Sequence, residues 1–293
     1  MKKKNIIGIS IALGVLVGLV LIVTMVFTLH TIDYQLTTIY QSASASRLFD
    51  HGNISTGDLE AKMLDEADFN KGGNLLFMSF TKNIENMEKN NPYVKIEKIV
   101  RNFPNRITVY YSEREPVALI KEQGSTNGYY VVDNELKILD YVTSDDDFAG
   151  YKIPIIDDYE ETYKTQKGEF LGDETLKSKV RTFVSSAYSA YVANGGDKNA
   201  LYENILKDCS SAKFYTAGEY SKQLEVKLAT SDAHTITAII TRVDEQTFEK
   251  ISFLWNAYFD QDTGIKDTYH EDTKIEIYYN AATNVIELHK LVD

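Results

Sequence analysis

The chain has little of several things that usually advertise a chemistry. A single cysteine, Cys209, stands among its 293 residues, so no intrachain disulfide and no multi-cysteine zinc site can form. Positive charge is scarce as well. Lys and Arg number 31 against 43 Asp and Glu, a formal net charge of −12, and an acidic body of this kind repels phosphate backbones, which excludes nucleic acid as a natural partner. Gly-x-Ser-x-Gly, His-Glu-x-x-His and a phosphate-binding glycine loop are all missing. With them go the common local signatures of hydrolytic and phosphoryl chemistry. Only four prolines interrupt the chain, while 20 Tyr and 13 Phe favour a strand-rich body, and 43% hydrophobic with 25% charged residues is an ordinary globular balance.

What is present begins with a hydrophobic run. Residues 6–29 carry no charge. As a helix they would extend about 36 Å, enough to cross a hydrocarbon core of about 30 Å. Lys2, Lys3 and Lys4 precede the run, which predicts a cytoplasmic tail at 1–5, a transmembrane helix at 6–29 and an exported remainder. A cleavable signal peptide is the competing reading. Its apolar region is usually shorter, however, and Ala43-Ser44-Ala45 lies well past the run. Gly14 and Gly18, four apart, suit either a seam for another helix or glycines merely tolerated in a span.

Beyond the run, Ser55-Thr56-Gly57-Asp58 has the form of a capped helix start, followed by Leu59, Met63 and Ala67 at helical spacing. A second helix fits residues 81–89, with Ile84 and Met87 inward, and Asn91-Pro92 stops it. Ile99, Arg101 and Phe103, then Ile107, Val109 and Tyr111, alternate about Pro104-Asn105 and predict a hairpin whose inner face is Ile99, Phe103, Ile107 and Val109. Past Pro116 the pattern shifts to short strands at 129–133, 136–140 and 153–156. Asp173 opens the firmest helix, carrying Leu176, Val180, Phe183, Val184, Ala187 and Tyr191 on one stripe. A hairpin about Ser231-Asp232, a helix from Asp244 burying Phe248, Ile251, Trp255 and Tyr258, and a terminal hairpin about Ala281-Ala282 complete the pattern.

Candidate chemistry is thin. His30, His51, His234, His270 and His289 are scattered in sequence and read as surface residues. Asp260-Gln261-Asp262-Thr263-Gly264, with Glu271 in twelfth place, resembles a calcium loop, but its glycine falls one place early and a solvated loop is the plainer reading. Asp145, Asp146 and Asp147 read as a solvated linker, and Cys209 as a quiet buried thiol. No catalytic, cofactor or metal residues are assigned. The last two strands are different, because a terminal strand often ends a sheet and can accept another chain's strand through backbone hydrogen bonds. The candidates are Lys274, Ile275, Glu276, Ile277, Tyr278 and Tyr279, with Val285 and Glu287 on the following strand. The alternative is that both strands are fully paired.

These residues resemble a known family. Gly52-Asn53, Gly73-Asn74-Leu75-Leu76-Phe77, Pro92-Tyr93-Val94, Ile99, Arg101, Phe103-Pro104-Asn105, Ile107, Val109 and Glu113-Arg114-Glu115-Pro116-Val117-Ala118 look like the POTRA segment of the FtsQ/DivIB cell-division proteins, in order and in spacing. Tyr129-Tyr130-Val131-Val132-Asp133 with Ile138-Leu139 is similar to the strand pair that follows it. The likeness covers residues 52–140. It implies an α+β chain with one transmembrane helix, a linker and small POTRA-type domain of two helices on a short sheet at 30–115, and a larger β-rich α+β domain at 116–293. The first POTRA strand has two placements, 36–40 or 46–51. Glu113, Arg114 and Pro116 mark the domain junction, where Glu113 and Arg114 either set the angle or are simply solvated charges.

The resemblance further implies a non-catalytic membrane scaffold of the bacterial divisome, without cofactor or small-molecule substrate, anchored in the plasma membrane at the septum. It would link FtsL-like and DivIC/FtsB-like single-span partners and help regulate septal peptidoglycan synthesis, binding through residues 274–279 or the next strand. A charge at Ile277 is then expected to weaken partner capture without unfolding. The alternative is a membrane-anchored extracytoplasmic enzyme or sensor acting on the cell wall, which requires a cleft with two facing acids.

Overall fold

The computed structural model describes residues 3–39, 46–121, 128–143, 151–158, 166–171, 174–215, 222–242, 246–262 and 264–291, with side chains from residue 11 and without that of residue 158. Ala43-Ser44-Ala45, Asp145 to 147, Asp173 and Asp244, all singled out above, lie outside the described residues. The chain is mixed α+β and divides into two compact units, Met1–Arg114 and Glu115–Asp293.

In the first unit, helix α1 (Lys3–Val26) ends three residues before the hydrophobic run does. The membrane-spanning helix expected over residues 6–29 is therefore corrected: among the described residues, no helix is long and apolar enough to cross a membrane. The end of the run is spent on the folded unit instead. Leu29 is fully buried, its N–H donates to the Gly73 carbonyl (2.9 Å), and the Leu75 N–H donates to the Phe27 carbonyl (2.7 Å).

Strand β1 (Thr31–Thr38) follows, then a 3-10 helix (Arg47–Gly52), α2 (Thr56–Glu66), α3 (Thr81–Asn90), β2 (Val94–Asn102) and β3 (Arg106–Glu113). Ser55 closes the expected capping box: its Oγ accepts from the Asp58 N–H, and the Asp58 carboxylate accepts from the Ser55 N–H, both at 3.2 Å. The sheet order is β1-β3-β2, with β1 parallel and β2 antiparallel to β3. Neither expected placement of the first strand is right. It lies earlier, at 31–38, because parallel pairing from Thr31 opposite Arg106 onward, with Ile32, Tyr34 and Leu36 against the core, uses the chain directly after α1.

Ile107, Val109 and Tyr111 share one face of β3 and meet Leu59 and Met63 of α2 and Met87 of α3 in a single core. Phe103 does not join them. At the β2–β3 corner it is 54% exposed, with its ring edge-to-face against Phe27 at 5.5 Å. The charged residues at the end of this unit turn inward. Arg114 Nη2 pairs with Glu88 Oε2 at 3.0 Å and its Nε donates to the Val94 carbonyl, while Glu88 Oε1 accepts from the Ile96 N–H. Both side chains are nearly sequestered, at 3% and 11% exposure.

The second unit carries β4 (Ala118–Lys121), β5 (Tyr129–Val132), β6 (Ile138–Val142), β7 (Ile155–Asp158), α4 (Glu174–Ala193), α5 (Tyr202–Leu206), β8 (Cys209–Tyr215), β9 (Gln223–Ala229), β10 (Thr235–Ile240), α6 (Thr247–Phe259), α7 (Ile265–Thr268), β11 (Thr273–Asn280) and β12 (Val285–Leu291). Among the described residues its strands make one sheet in the order β12-β11-β10-β9-β8-β7-β4-β5-β6. The α4 stripe is buried as its spacing predicts, through Leu176, Val180, Phe183, Val184 and Ala187. On α6 the inward face is Ile251, Leu254, Trp255 and Tyr258, while Phe248, expected inside, is 53% exposed in the first turn. Phe183 meets Trp255 edge-to-face at 5.3 Å and joins the two helices over the sheet. Strand β8 escapes period-two reading because its register shifts between Cys209 and Ser211, so Cys209, Ala212 and Phe214 point inward off the simple alternation.

These contacts carry three stability predictions. Glu88→Ala removes the carboxylate that faces a buried guanidinium and caps the Ile96 N–H, and should lower the unfolding free energy of the first unit by about 3–5 kcal/mol in urea titration. The Trp255 indole N–H is fully buried without an acceptor among the described residues. Trp255→Phe trades the loss of ring volume against relief of that donor and should shift stability by less than about 1.5 kcal/mol, whereas Phe183→Ala should cost about 3–5 kcal/mol.

Candidate functional site

The terminal hairpin supplies the surface with most to offer a partner. β11 is paired on both sides: parallel to β10, with Ile236 opposite Thr273, and antiparallel to β12, with Ile277 opposite Leu288. Lys274, Ile275, Glu276, Ile277, Tyr278 and Tyr279 therefore lie inside the sheet, and of these two strands it is β12 that has no second strand partner among the described residues. The register sorts the residues by face. Ile275 and Ile277 are fully buried, with Ile286 and Leu288 packed against the same core. A charge at Ile277 would consequently act on folding, and the expectation that the unit stays folded is corrected.

The opposite face holds Tyr278 across from Glu287 and Glu276 across from His289, with Lys274 and Val285 exposed. Here the side chains lock the hairpin. Tyr278 Oη donates to Glu287 Oε2 (2.8 Å), Asn280 Nδ2 and Thr283 Oγ1 donate to Glu287 Oε1 (2.8 and 3.2 Å), and the His289 ring meets Tyr278 edge-to-face at 4.9 Å. His289 Nε2 also lies 3.3 Å from Glu287 Oε2. The hydrogen bond from Tyr278, then that from Asn280, hold the Glu287 carboxyl below its usual range, and the bond to Glu287 raises the Tyr278 hydroxyl. Farther along, Lys290 pairs with Glu271 at 2.8 Å, which lowers the Glu271 carboxyl and raises the Lys290 ammonium.

Next to this cluster is an open hollow of about 720 Å³ lined by Gln223, Arg242, Gln246, Glu276, Tyr278 and His289 among others. Its floor is tied down by Lys250, a buried residue of α6 whose Nζ donates to the Thr241 and Arg242 carbonyls at 3.1 and 2.9 Å. Sequence reasoning named Tyr278 and Glu287, read His289 as a surface residue without tying it to them, and missed Asn280, Thr283 and Lys250. The signal for His289 was available, since it stands two residues from Glu287 and so shares its face. Lys250 carried no such signal, because its partners are carbonyls that only the turn after β10 presents.

The other candidates fall elsewhere. Glu113 accepts from Ser46 Oγ (2.7 Å) and the Leu48 N–H, and Arg114 holds Glu88, so both have partners inside the first unit; Pro116 is buried at the start of the second. In the loop resembling a calcium site, the glycine answers to packing: a Cβ on Gly264 would lie 2.1 Å from the Asp260 carbonyl oxygen. Among the described residues, no three His, Cys, Asp or Glu side chains converge as a metal site. Cys209 is buried, and burial pushes its thiol far above its usual range.

No family model and no curated protein matches the chain. Among solved structures it is similar to the major extracytoplasmic domain of the trans isomer of the bacterial cell division protein DivIB from Geobacillus stearothermophilus, at 10% identity and a TM-score of 0.26, covering 48% of this chain and 87% of that one.

The Glu287 cluster has a pH signature. A carboxyl whose folded value lies below its unfolded one adds stability above the unfolded value and loses it as pH falls through the folded one. Protection of the β11 and β12 amides, taken relative to the intrinsic exchange rate at each pH, should fall on acidification below the ordinary glutamate range, and Glu287→Gln should flatten that dependence. Equal acid sensitivity in the variant would refute the assignment.

Proposed function

We propose that the chain is a non-catalytic adaptor of the FtsQ/DivIB type, acting outside the cytoplasmic membrane at the division septum. In this reading it holds FtsL-like and DivIC/FtsB-like single-span proteins by lending one of them the free side of β12, and so helps regulate septal peptidoglycan synthesis. Bond-making chemistry belongs to the proteins it gathers.

The observation that carries the reading is the position of β12 at the end of the sheet. An end strand leaves a row of N–H and C=O groups directed outward, and these can be satisfied by an extended segment of another chain. The neighbouring face adds selectivity, with Val285 exposed and Glu287, His289, Tyr278 and Glu276 offering acceptor and donor groups beside the hollow. The hairpin is held by its own side-chain bonds, so a visiting strand meets a preformed edge and less ordering entropy opposes docking. Further support comes from the motifs of residues 52–140 and from a first unit in which two helices cover one face of a three-stranded sheet.

Proline separates edge pairing from folding. An edge strand tolerates proline only where its N–H points away from the neighbour. A proline scan over residues 286–290 should divide into alternate positions: at one set the unit stays folded but co-purification of single-span division proteins is lost, and at the other β12 detaches from β11. Folded variants that all retain capture would exclude β12 as the docking strand.

A further inference from the structure

The foot of α1 gathers exposed apolar side chains that the proposed adaptor role does not use. The loop between α2 and α3 projects Phe77, 83% exposed, and Leu76, 38% exposed, and the β2–β3 corner projects Phe103, 54% exposed. Backbone pairing brings both to the same place. The Leu29 N–H donates to Gly73, Thr28 bridges Asn74, the Leu75 N–H donates to Phe27, and the Phe27 ring sits against Phe103. Gly73 lets the loop fold tightly on itself, since a Cβ there would lie 2.8 Å from Met78 Cε and 3.0 Å from the Asn70 carbonyl oxygen. Arg101 fastens the loop from the other side, donating to the Leu75 and Met78 carbonyls at 3.1 and 2.6 Å.

Two features indicate what this foot meets. Its apolar surface is continuous with α1, whose side chains from Ile11 to Met25 are largely exposed and, Thr24 apart, apolar on every side, and a helix without a polar face is not matched to water. Its charge also departs from that of the rest of the chain. The segments that meet there, residues 26–32, 69–84 and 98–108, contain no Asp or Glu although the chain has 43, while Lys71 and Lys82 are exposed on them. Asp33, the nearest acid on β1, is paired with Arg106 at 3.4 Å. Aromatic tips with a cationic, acid-free surround suit an anionic phospholipid surface, where rings enter the headgroup boundary and lysines meet phosphates.

We infer that Phe77, Leu76 and Phe103 form a lipid-contacting collar that seats the first unit directly on an anionic bilayer surface. The contact is interfacial and requires no crossing helix. It is independent of strand capture by β12.

The buried Cys209 makes the test direct, because an added surface cysteine is the reactive one. Full-length Phe77→Cys and Phe103→Cys, each carrying an environment-sensitive fluorophore, are mixed with phosphatidylcholine–phosphatidylglycerol vesicles containing a nitroxide lipid labelled near the top of its acyl chain. Lys95→Cys, at the far end of β2 and about 26 Å along the strand from the corner, is the control. Quenching several-fold stronger at 77 and 103 than at 95, reduced in vesicles of phosphatidylcholine alone, is the expected result. Equal quenching at all three positions would overturn the inference. So would labels at 77 and 103 that become shielded without quenching, which would assign the collar to a second copy or a protein partner. Strand capture should be unchanged in a Phe77→Ser, Phe103→Ser variant, so failure here leaves the adaptor reading standing.

Discussion

Every strand in a sheet has two rows of backbone hydrogen-bonding groups, and a folded chain must place each row against protein or water. In the second unit the strand order spends both rows of β11 on β10 and β12, so that at this end of the sheet the second row of β12 has no strand partner among the described residues. The surrounding features depend on that position. The inward side chains of the hairpin, Ile275, Ile277, Ile286 and Leu288, are committed to the core under α6, which leaves Tyr278, Glu287, His289 and Val285 as the outward set. Glu287, accepting from three side chains, keeps the last strand in register where packing is weakest.

The first unit obeys the same constraint with a different solution. Its central strand, β3, is flanked on both sides, and one face carries Ile107, Val109 and Tyr111 beneath the two helices. The charges that close this strand are internal to the unit. Arg114 reaches back to Glu88 on α3 and Glu113 to Ser46, so the end of β3 is clamped by groups distant in sequence. Buried pairs of this kind contribute little net stability over an apolar core, but removal of one member is costly, which makes them registration devices as much as supports.

Much of the local structure was legible in the residues. The capping box at Ser55 and Asp58, the α4 stripe from Leu176 to Ala187 and the hairpins about Ser231-Asp232 and Ala281-Ala282 rest on spacing alone, and spacing is what a helix or strand reads. The failures have separate causes. Strand β1 pairs in parallel with a segment some 75 positions away in sequence, a partner no local pattern announces. Phe103 and Phe248 fit their stripes but sit at element ends, where the stripe no longer faces anything. The hydrophobic run was read as uniform because charge is absent from it, yet Phe27, Thr28 and Leu29 are bonded to the Gly73 loop and belong to the folded unit.

By itself the sequence determined most of the helices and hairpins, though not β1 or β8, that the protein is acidic and poor in reactive groups, and that its last residues alternate as strands. Those properties follow from side-chain spacing and charge, which are local or additive. Only the tertiary structure decided which of the last two strands keeps an unpaired side, that Ile277 belongs to the core, and that Phe77 and Phe103 come together at the foot of α1. Each of these depends on pairing order or on contacts between distant segments, and such choices are made by the competition of the whole chain for burial and backbone partners.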